Sequence, residues 1–377
     1  MALPTPLPAA RLQADDFLAS LADDDLVYFL CNVGDADAQL ILTPHDPDLP
    51  GRRAIIVDAG LSAKLPALIN ALGAEGLLTL NGAAPGAIAL LVATHPHSDH
   101  IRGMRRLLDD FGPEIQEFWD PGYYHTTSNY HQMMAGIEVL QDMVYSQPSS
   151  GLKRWLGRVA ITVLSPSIQL RNRFDTYGTE INDSSISLRI EYPASRVVQR
   201  NDDRSLVDSG RTTALVLGAD AQTLSWSFAL TDFPRLHSSN SAAAQAIGAA
   251  RGGDPLRGQI LKVSHHGSKR GVNLELVERI APLLTLVSSA RESPRYNFPH
   301  TIAQEIVREA QQPTASTGAA RTDDHELGIF YTCDVDDADQ DVGSIAVVLP
   351  MTGNTRLWRF GDASDDAIDL TNGMRWT

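Results

Sequence analysis

The sequence predicts an α/β fold built as one elaborated domain. Apolar runs of strand length recur along the chain, with segments of helical spacing between them. Histidines and aspartates fall just after several of those runs. The stretch 88–111 reads as strand, polar loop and helix, the layout of a site-bearing turn in an α/β protein.

The elements follow in order. Residues 26–32 and 39–42 are apolar runs parted by Gly34-Asp35-Ala36-Asp37, which predicts a hairpin or strand pair. Residues 54–57 predict a buried strand ending at Asp58-Ala59-Gly60, and 61–72 a helix. Residues 88–93 predict a strand and 101–111 a helix. The segment 114–156 is punctuated by Pro121-Gly122 and 146–151, and predicts an insertion with a helix over 132–144. Residues 159–164 predict a strand. In 184–191, Ile186, Leu188 and Ile190 alternate on one face, which predicts a half-buried strand. The polar stretch 196–205 predicts a loop, 213–217 a strand, and the Ala, Gly and Ser-rich 238–253 a weak helix or a flexible insertion. Strands are predicted at 260–263 and 284–288, helices at 274–280 and 303–311, and closing strands at 328–332 and 344–349. No linker divides the chain. The predicted organisation is an extension at 1–24, one domain over 25–352 with insertions near 114–156 and 196–256, and a C-terminal segment at 353–377.

Composition sets bounds on function. The chain has 377 residues, 43% hydrophobic and 20% charged, which excludes a wholly disordered chain, a collagen-like repeat and a coiled coil. No run approaches the roughly 18 apolar residues of a membrane helix, so no membrane span is expected. The 31 basic and 46 acidic residues leave a net charge of −15. Such a surface does not draw polyanions from a distance, which disfavours a basic nucleic-acid-binding module. Bound cations can still set the local field of a phosphate-handling site. The two cysteines, Cys31 and Cys333, form no disulfide framework, and Cys31 is expected to be a small buried apolar residue. The first 25 residues carry no basic start followed by an apolar core, so a cytoplasmic location is expected.

The strongest chemical signal is Thr94-His95-Pro96-His97-Ser98-Asp99-His100. Imidazole and carboxylate are ligand types for zinc, manganese and iron. On an extended segment His95 and His97 point to the same side and suit one ion. Asp99 and His100 open the following helix and suit a second ion nearby. A polar helix cap at Ser98 or Asp99 would explain one residue and leave three histidines unexplained. The second signal is Ser264-His265-His266-Gly267-Ser268-Lys269. Neighbours on an extended segment face opposite ways, so one histidine is expected at a metal and the other at substrate or behind the ligands. The third is Asp220, at a strand end, whose two oxygens suit it to bridge two cations; alone it would read as a turn aspartate.

Together these residues resemble the metallo-β-lactamase fold, and within it the soluble hydrolase domain of the DNA-uptake channel protein ComEC and its free-standing relatives. The resemblance rests on seven motifs in family order: Val33-Gly34-Asp35-Ala36-Asp37-Ala38, Asp58-Ala59-Gly60, His95 to His100, Asn182-Asp183-Ser184-Ser185, His265 to Ser268, Pro294-Arg295-Tyr296-Asn297-Phe298-Pro299-His300, and Arg321-Thr322-Asp323. Ala36 stands where that branch has glycine, and Phe298 where it has the first histidine of a His-Pro-His. Many relatives supply a third histidine to the first metal from mid-chain; here that region offers Asn182 and Asp183, or else His125 and His131 from the insertion.

The resemblance implies an αββα sandwich of two mixed sheets flanked by helices, two divalent ions (Zn or Mn), and a metal-dependent hydrolase that uses a dimetal-activated hydroxide. The expected first ion is held by His95, His97 and Asp220, with Asn182 or Asp183 as a further ligand. The second is held by Asp99, His100, Asp220 and His265. His266 is the expected donor of a proton or a hydrogen bond to the leaving oxygen, and Ser268, Lys269 and His300 the expected substrate contacts. Asp37 and Asp58 are expected to orient ligand histidines. The expected substrate is a phosphodiester, short single-stranded nucleic acid included. The alternatives are hydrolysis of a thioester, lactone or other carbonyl compound, since fold does not set substrate, and a non-catalytic module holding a structural metal, which the absence of a cysteine near the motifs disfavours.

Overall fold

The computed structural model describes residues 5–45, 51–80, 86–175, 178–194, 197–199, 206–208, 212–234, 254–291, 296–312 and 322–377. The strands are β1 (Leu12–Asp15), β2 (Leu26–Leu30), β3 (Ala38–Leu42), β4 (Ala54–Ala59), β5 (Ile88–Val92), β6 (Glu117–Trp119), β7 (Val144–Ser146), β8 (Lys153–Leu156), β9 (Val159–Ser165) and β10 (Ser187–Tyr192). They continue as β11 (Val197–Gln199), β12 (Leu206–Asp208), β13 (Thr213–Leu217), β14 (Ile260–Lys262), β15 (Leu284–Val287), β16 (Ile329–Tyr331), β17 (Ile345–Leu349), β18 (Arg356–Arg359) and β19 (Gly373–Trp376). One sheet runs β1-β19-β18-β17-β2-β3-β4-β5-β6-β7, a second β16-β15-β14-β13-β10-β9-β8, and β11 pairs with β12. Both large sheets are mixed. β4 to β7 are parallel in the first, β13 to β16 in the second, and the other pairings are antiparallel.

Alternation along each strand makes the layers. Tyr28 and Leu30 of β2 face one way and join Ile41, Val57, Val92, Ile161, Leu188, Leu215 and Ile260 in a core between the sheets. Their neighbours Val27 and Phe29 face outward, under the helices α1 (Lys64–Ala74), α2 (Ser98–Ile101), α3 (Met104–Phe111) and α4 (Ser128–Glu138). α5 (Ile168–Arg171) is a single turn after β9. On the far face, Val216 and Leu261 pack under α6 (Thr223–Asp232), α7 (Leu274–Ile280) and α8 (Thr301–Gln311). The result is the predicted αββα sandwich.

Several elements differ from the sequence reading. The helix predicted over 132–144 is α4, Ser128–Glu138, and Val144 to Ser146 form β7 instead. Pairing of Val144 with Glu117 and of Tyr145 with Phe118 outweighs local helical spacing there. The stretch 114–156 supplies β6, β7 and β8, which extend both sheets. The 196–205 loop contains β11, paired with β12. β10 is buried on both faces, because the side turned from the core carries the Arg189–Glu191 ion pair under the outer layer. β1, β18 and β19 add the two chain ends to the first sheet. The predicted insertion at 238–253 lies outside the described residues. Cys31 and Cys333 are buried and free. Among the described residues, no helix is long and apolar enough to cross a membrane.

Candidate metal centre

The candidate residues gather where strands end, at the carboxyl edge of the parallel runs, the edge at which open α/β sheets bind ligands. β4 leads into Asp58, β5 into Thr94, His95 and His97, β13 into Asp220, β14 into His265 and His266, and β15 into Ser288. Asp99 and His100 sit in α2. Asp37 precedes β3, and Asn182 lies in a 3-10 turn, Ile181–Ser184, before β10. Gly60 lets three of these loops close up: a Cβ there would stand 2.8 Å from Ala36 Cβ and 2.9 Å from the Asp99 carbonyl oxygen. Four non-glycine residues of the site take left-handed backbone: Asp58 (φ 62°), Ala219 (φ 46°), His265 (φ 51°) and His266 (φ 51°). Each costs roughly 1–3 kcal/mol and persists only where the surroundings enforce it.

Asp220 is the hub. Its Oδ2 is 3.7 Å from His95 Nε2 and 3.6 Å from His265 Nε2. Its Oδ1 is 3.2 Å from His100 Nε2 and 3.8 Å from His266 Nε2. His95 Nε2 is 3.1 Å from His97 Nδ1. Two groups of donor atoms converge here, His95 with His97 and Asp220, and Asp99 with His100, Asp220 and His266. His266 thus takes the place in the second group that the sequence reading assigned to His265. The reason is local: these two residues lie in a left-handed turn, not on an extended segment, so both rings turn toward Asp220 and neither is sent to the opposite face.

The far side of each ring explains why the near nitrogens are free. His100 Nδ1 lies 2.7 Å from Asp58 Oδ2, and Asp58 is itself held by the Thr94 amide and hydroxyl, both at 2.8 Å. His266 Nδ1 lies 3.0 Å from Ser288 Oγ and 3.1 Å from its carbonyl oxygen. With Nδ1–H donated outward, each ring presents the Nε2 lone pair to the cluster. His100 Nε2, His266 Nε2 and both Asp220 oxygens are buried with no hydrogen-bond partner. Orphaned buried atoms of this kind are costly unless something fills the gap, and a set of imidazole nitrogens and carboxylate oxygens matches divalent cations. The donors present therefore fit two metal ions.

The electrostatics agree. Burial alone would raise the Asp220 carboxyl, but His100, His265 and His266 outweigh it and hold it well below its ordinary range. Burial holds His95 well below its ordinary value, as a neutral ligand requires. Burial would also lower His100, yet Asp220 and Asp58 raise it well above. An entering cation must displace such protons, so metal affinity should tighten as pH rises.

The other candidates divide. Asp37 lies 4.0 Å from His100 Nδ1 and 3.8 Å from His266 Nδ1, and pairs with the buried Lys262. Asn182 stands by the site, its Nδ2 3.3 Å from His265 Nδ1 and its buried Oδ1 without a partner. Asp183 turns away to Ser225. Ser268 is buried, Lys269 exposed, and His300 half-buried with its amide on the Gly267 carbonyl. His125 is outside the clusters, its ring centroid 6.4 Å from that of His97, and His131 packs on Tyr124 and Tyr130. Arg295 and Arg321 lie outside the described residues. The sequence reading missed Lys262 and Ser288 as supports; a lysine inside the apolar run Ile260-Leu261-Lys262-Val263 was the available signal for the first.

Residues 49–149 match the family model of the metallo-beta-lactamase superfamily. The superfamily match takes in Asp58 and His95 to His100; Asp220, His265 and His266 come from the chain beyond it. Among curated proteins, none matches this chain. Similar solved structures include the metallo-beta-lactamase fold protein YhfI from Bacillus subtilis, 12% identical, covering 75% of this chain and 93% of that one, TM-score 0.41. The diiron beta-hydroxylase CmlA from Streptomyces venezuelae is 12% identical over 77% of this chain and 51% of its own, TM-score 0.38. A long form RNase Z from yeast is 13% identical over 72% of this chain and 38% of its own, TM-score 0.36.

Asp58→Asn is expected to weaken divalent-ion binding about 10- to 100-fold, because His100 loses the acceptor that sets its tautomer. A competitive metal titration reads this directly, and unchanged affinity would reduce Asp58 to a packing role.

Proposed function

We propose that this protein is a metal-dependent hydrolase of phosphodiesters, with two divalent ions, Zn or Mn, at the Asp220 cluster. The observation that carries the metal is the set of orphaned nitrogens and oxygens around Asp220. His95, His97 and Asp220 Oδ2 would hold one ion, with Asn182 Oδ1 the candidate to complete it. Asp99, His100, His266 and Asp220 Oδ1 would hold the other. Ions so placed lower the pKa of a water and neutralise charge that builds on the substrate's oxygens.

The chain's own groups do the rest. Asp58 and Ser288 fix the rings of His100 and His266. His265, whose side chain keeps 18% exposure, can meet the substrate. The side-chain amide of Asn182 lies 3.3 Å from its Nδ1 and 3.4 Å from its Nε2, and that of Gln222 lies 3.4 Å from its Nδ1. We assign His265 a hydrogen bond to the leaving oxygen, part of the role first expected of His266. Lys269 is exposed beside His300, where its charge contributes to holding the imidazole pKa down, after burial. These two groups support a phosphate oxygen as the bound group. The motif order shared with the ComEC branch supports the same substrate class. The charge of −15 supports small or single-stranded substrates over long duplex. A cytoplasmic setting remains part of this proposal.

Metal-stripped protein is expected not to hydrolyse bis-p-nitrophenyl phosphate, and to regain turnover when Mn or Zn is restored. Confirmed loading of two ions without turnover would overturn the phosphodiester reading and put thioesters and lactones first.

A further inference from the structure

A cavity of about 460 Å³ lies at the end of the second sheet opposite the Asp220 cluster. Ile260 and Leu284 line it where β14 and β15 begin, whereas the cluster stands where those strands end. Phe330 of β16, Leu357 of β18 and Trp376 of β19 complete an apolar floor that continues the core between the sheets. The volume is within the range of small-molecule sites, roughly 300–1,000 Å³. Arg11, β18 and β19 come from the chain ends, outside the 49–149 stretch of the superfamily match.

One wall of the cavity is polar and pre-set. The Arg11 guanidinium lies over the Trp376 ring, 4.5 Å from its centroid, and its Nε donates to the Thr377 main-chain oxygen. Stacking and this bond fix the guanidinium plane. They leave its two Nη groups without a hydrogen-bond partner among the described residues. Phe330 and His325 meet Trp376 edge-on, with centroids 5.3 and 5.6 Å away, so the ring beneath Arg11 is held on two sides. His325 also lines the cavity; it is 7% exposed, and its Nδ1 is buried with no hydrogen-bond partner. Such an atom is costly unless a ligand or an ordered water meets it. Gln259 Oε1 accepts from the Ala214 amide, which leaves the Nε2 group of this wall residue to donate elsewhere. A planar fork of two donors matches a carboxylate. Glu326 on the same wall, in a chain of −15, disfavours a dianion such as a phosphate monoester. We infer that this cavity binds a small organic monocarboxylate, with its carboxylate on the Arg11 Nη groups and its apolar body on Ile260, Phe330 and Leu357. The site is separate from the metal cluster and does not depend on the reaction performed there.

The probe is 4-phenylbutyrate, with 4-phenylbutanamide as its uncharged counterpart. Calorimetry on the metal-loaded protein should show 4-phenylbutyrate binding with a Kd of about 1 mM or tighter. The amide should bind about 10- to 100-fold more weakly, because it lacks the charge-assisted pair with Arg11. Arg11→Met should bring the acid down to the level of the amide. A carboxylate held by the metal ions instead would keep its affinity in Arg11→Met, and that result would overturn the inference. No binding of 4-phenylbutyrate, or equal binding of acid and amide, would overturn it too. A second measurement needs no variant to fold. In crystals soaked with 4-(4-bromophenyl)butyrate, the anomalous signal of the bromine should lie beside Phe330 and Leu357. A signal at the Asp220 cluster alone, or none, would overturn the assignment.

Discussion

Asp220→Ala is expected to abolish metal-dependent turnover, by roughly 10³-fold or more, and to reduce the divalent-ion load below two per chain. This carboxylate is shared: one oxygen faces His95 and His265, the other His100 and His266. Its removal takes a negative charge from both groups of donors at once, whereas removal of His97 would weaken one. The site would then hold three buried imidazoles crowded together with less charge to offset a cation's desolvation. Counting bound ions by mass spectrometry beside bis-p-nitrophenyl phosphate kinetics separates the two effects. A variant that keeps two tightly bound ions would remove Asp220 from its central place. Asp220→Asn is the control for shape, because it preserves volume and removes charge.

Lys262→Met is expected to cost about 3–5 kcal/mol of folding stability. Lys262 is fully buried at the end of β14 and pairs with the fully buried Asp37. Burial would raise the Asp37 carboxyl, but Lys262, with smaller help from His266 and His100, holds it below its usual range. Without the ammonium a charged carboxylate is left in the interior with, among the described residues, one side-chain hydrogen bond, from Ser288 Oγ at 2.5 Å, and the more distant His266 and His100. That same hydroxyl anchors His266 Nδ1, so the damage reaches the cluster. Urea unfolding measures the loss. The double variant Lys262→Met with Asp37→Leu should recover most of it, because replacing both partners removes the unpaired charge. A loss under about 1 kcal/mol, or no recovery in the double variant, would show that the pair is not held as an interdependent unit.

Much of the architecture could be read from the chain because buried strands leave a strong mark. The strand at Thr213–Leu217 and the helix at Leu274–Ile280 have the predicted bounds. Val144 to Ser146 misled because three residues gain strand character only from a partner strand 27 positions earlier in register. The extra strands at the chain ends were missed for a related reason: Leu12 finds Trp376 only when the sheet is assembled.

The site divides in the same way. The sequence by itself determined the chemistry on offer, since His95 to His100, Asp220 and His265-His266 are side chains of the types able to ligate a metal, at spacings that suit it. It also determined the layered α/β class, through continuous apolar runs such as 26–30 and the alternation of apolar residues over 186–190. Only the tertiary structure decided which histidine of the pair joins Asp99 and His100, because that depends on two successive left-handed residues that an extended reading of the segment does not anticipate. It alone decided that Asp58 and Ser288 set the ring orientations and that Lys262 meets Asp37. Lys262 and Asp37 stand 225 positions apart in the chain. The spacing of a local motif is written in the sequence, but contacts between strand ends are settled by how the two sheets pack.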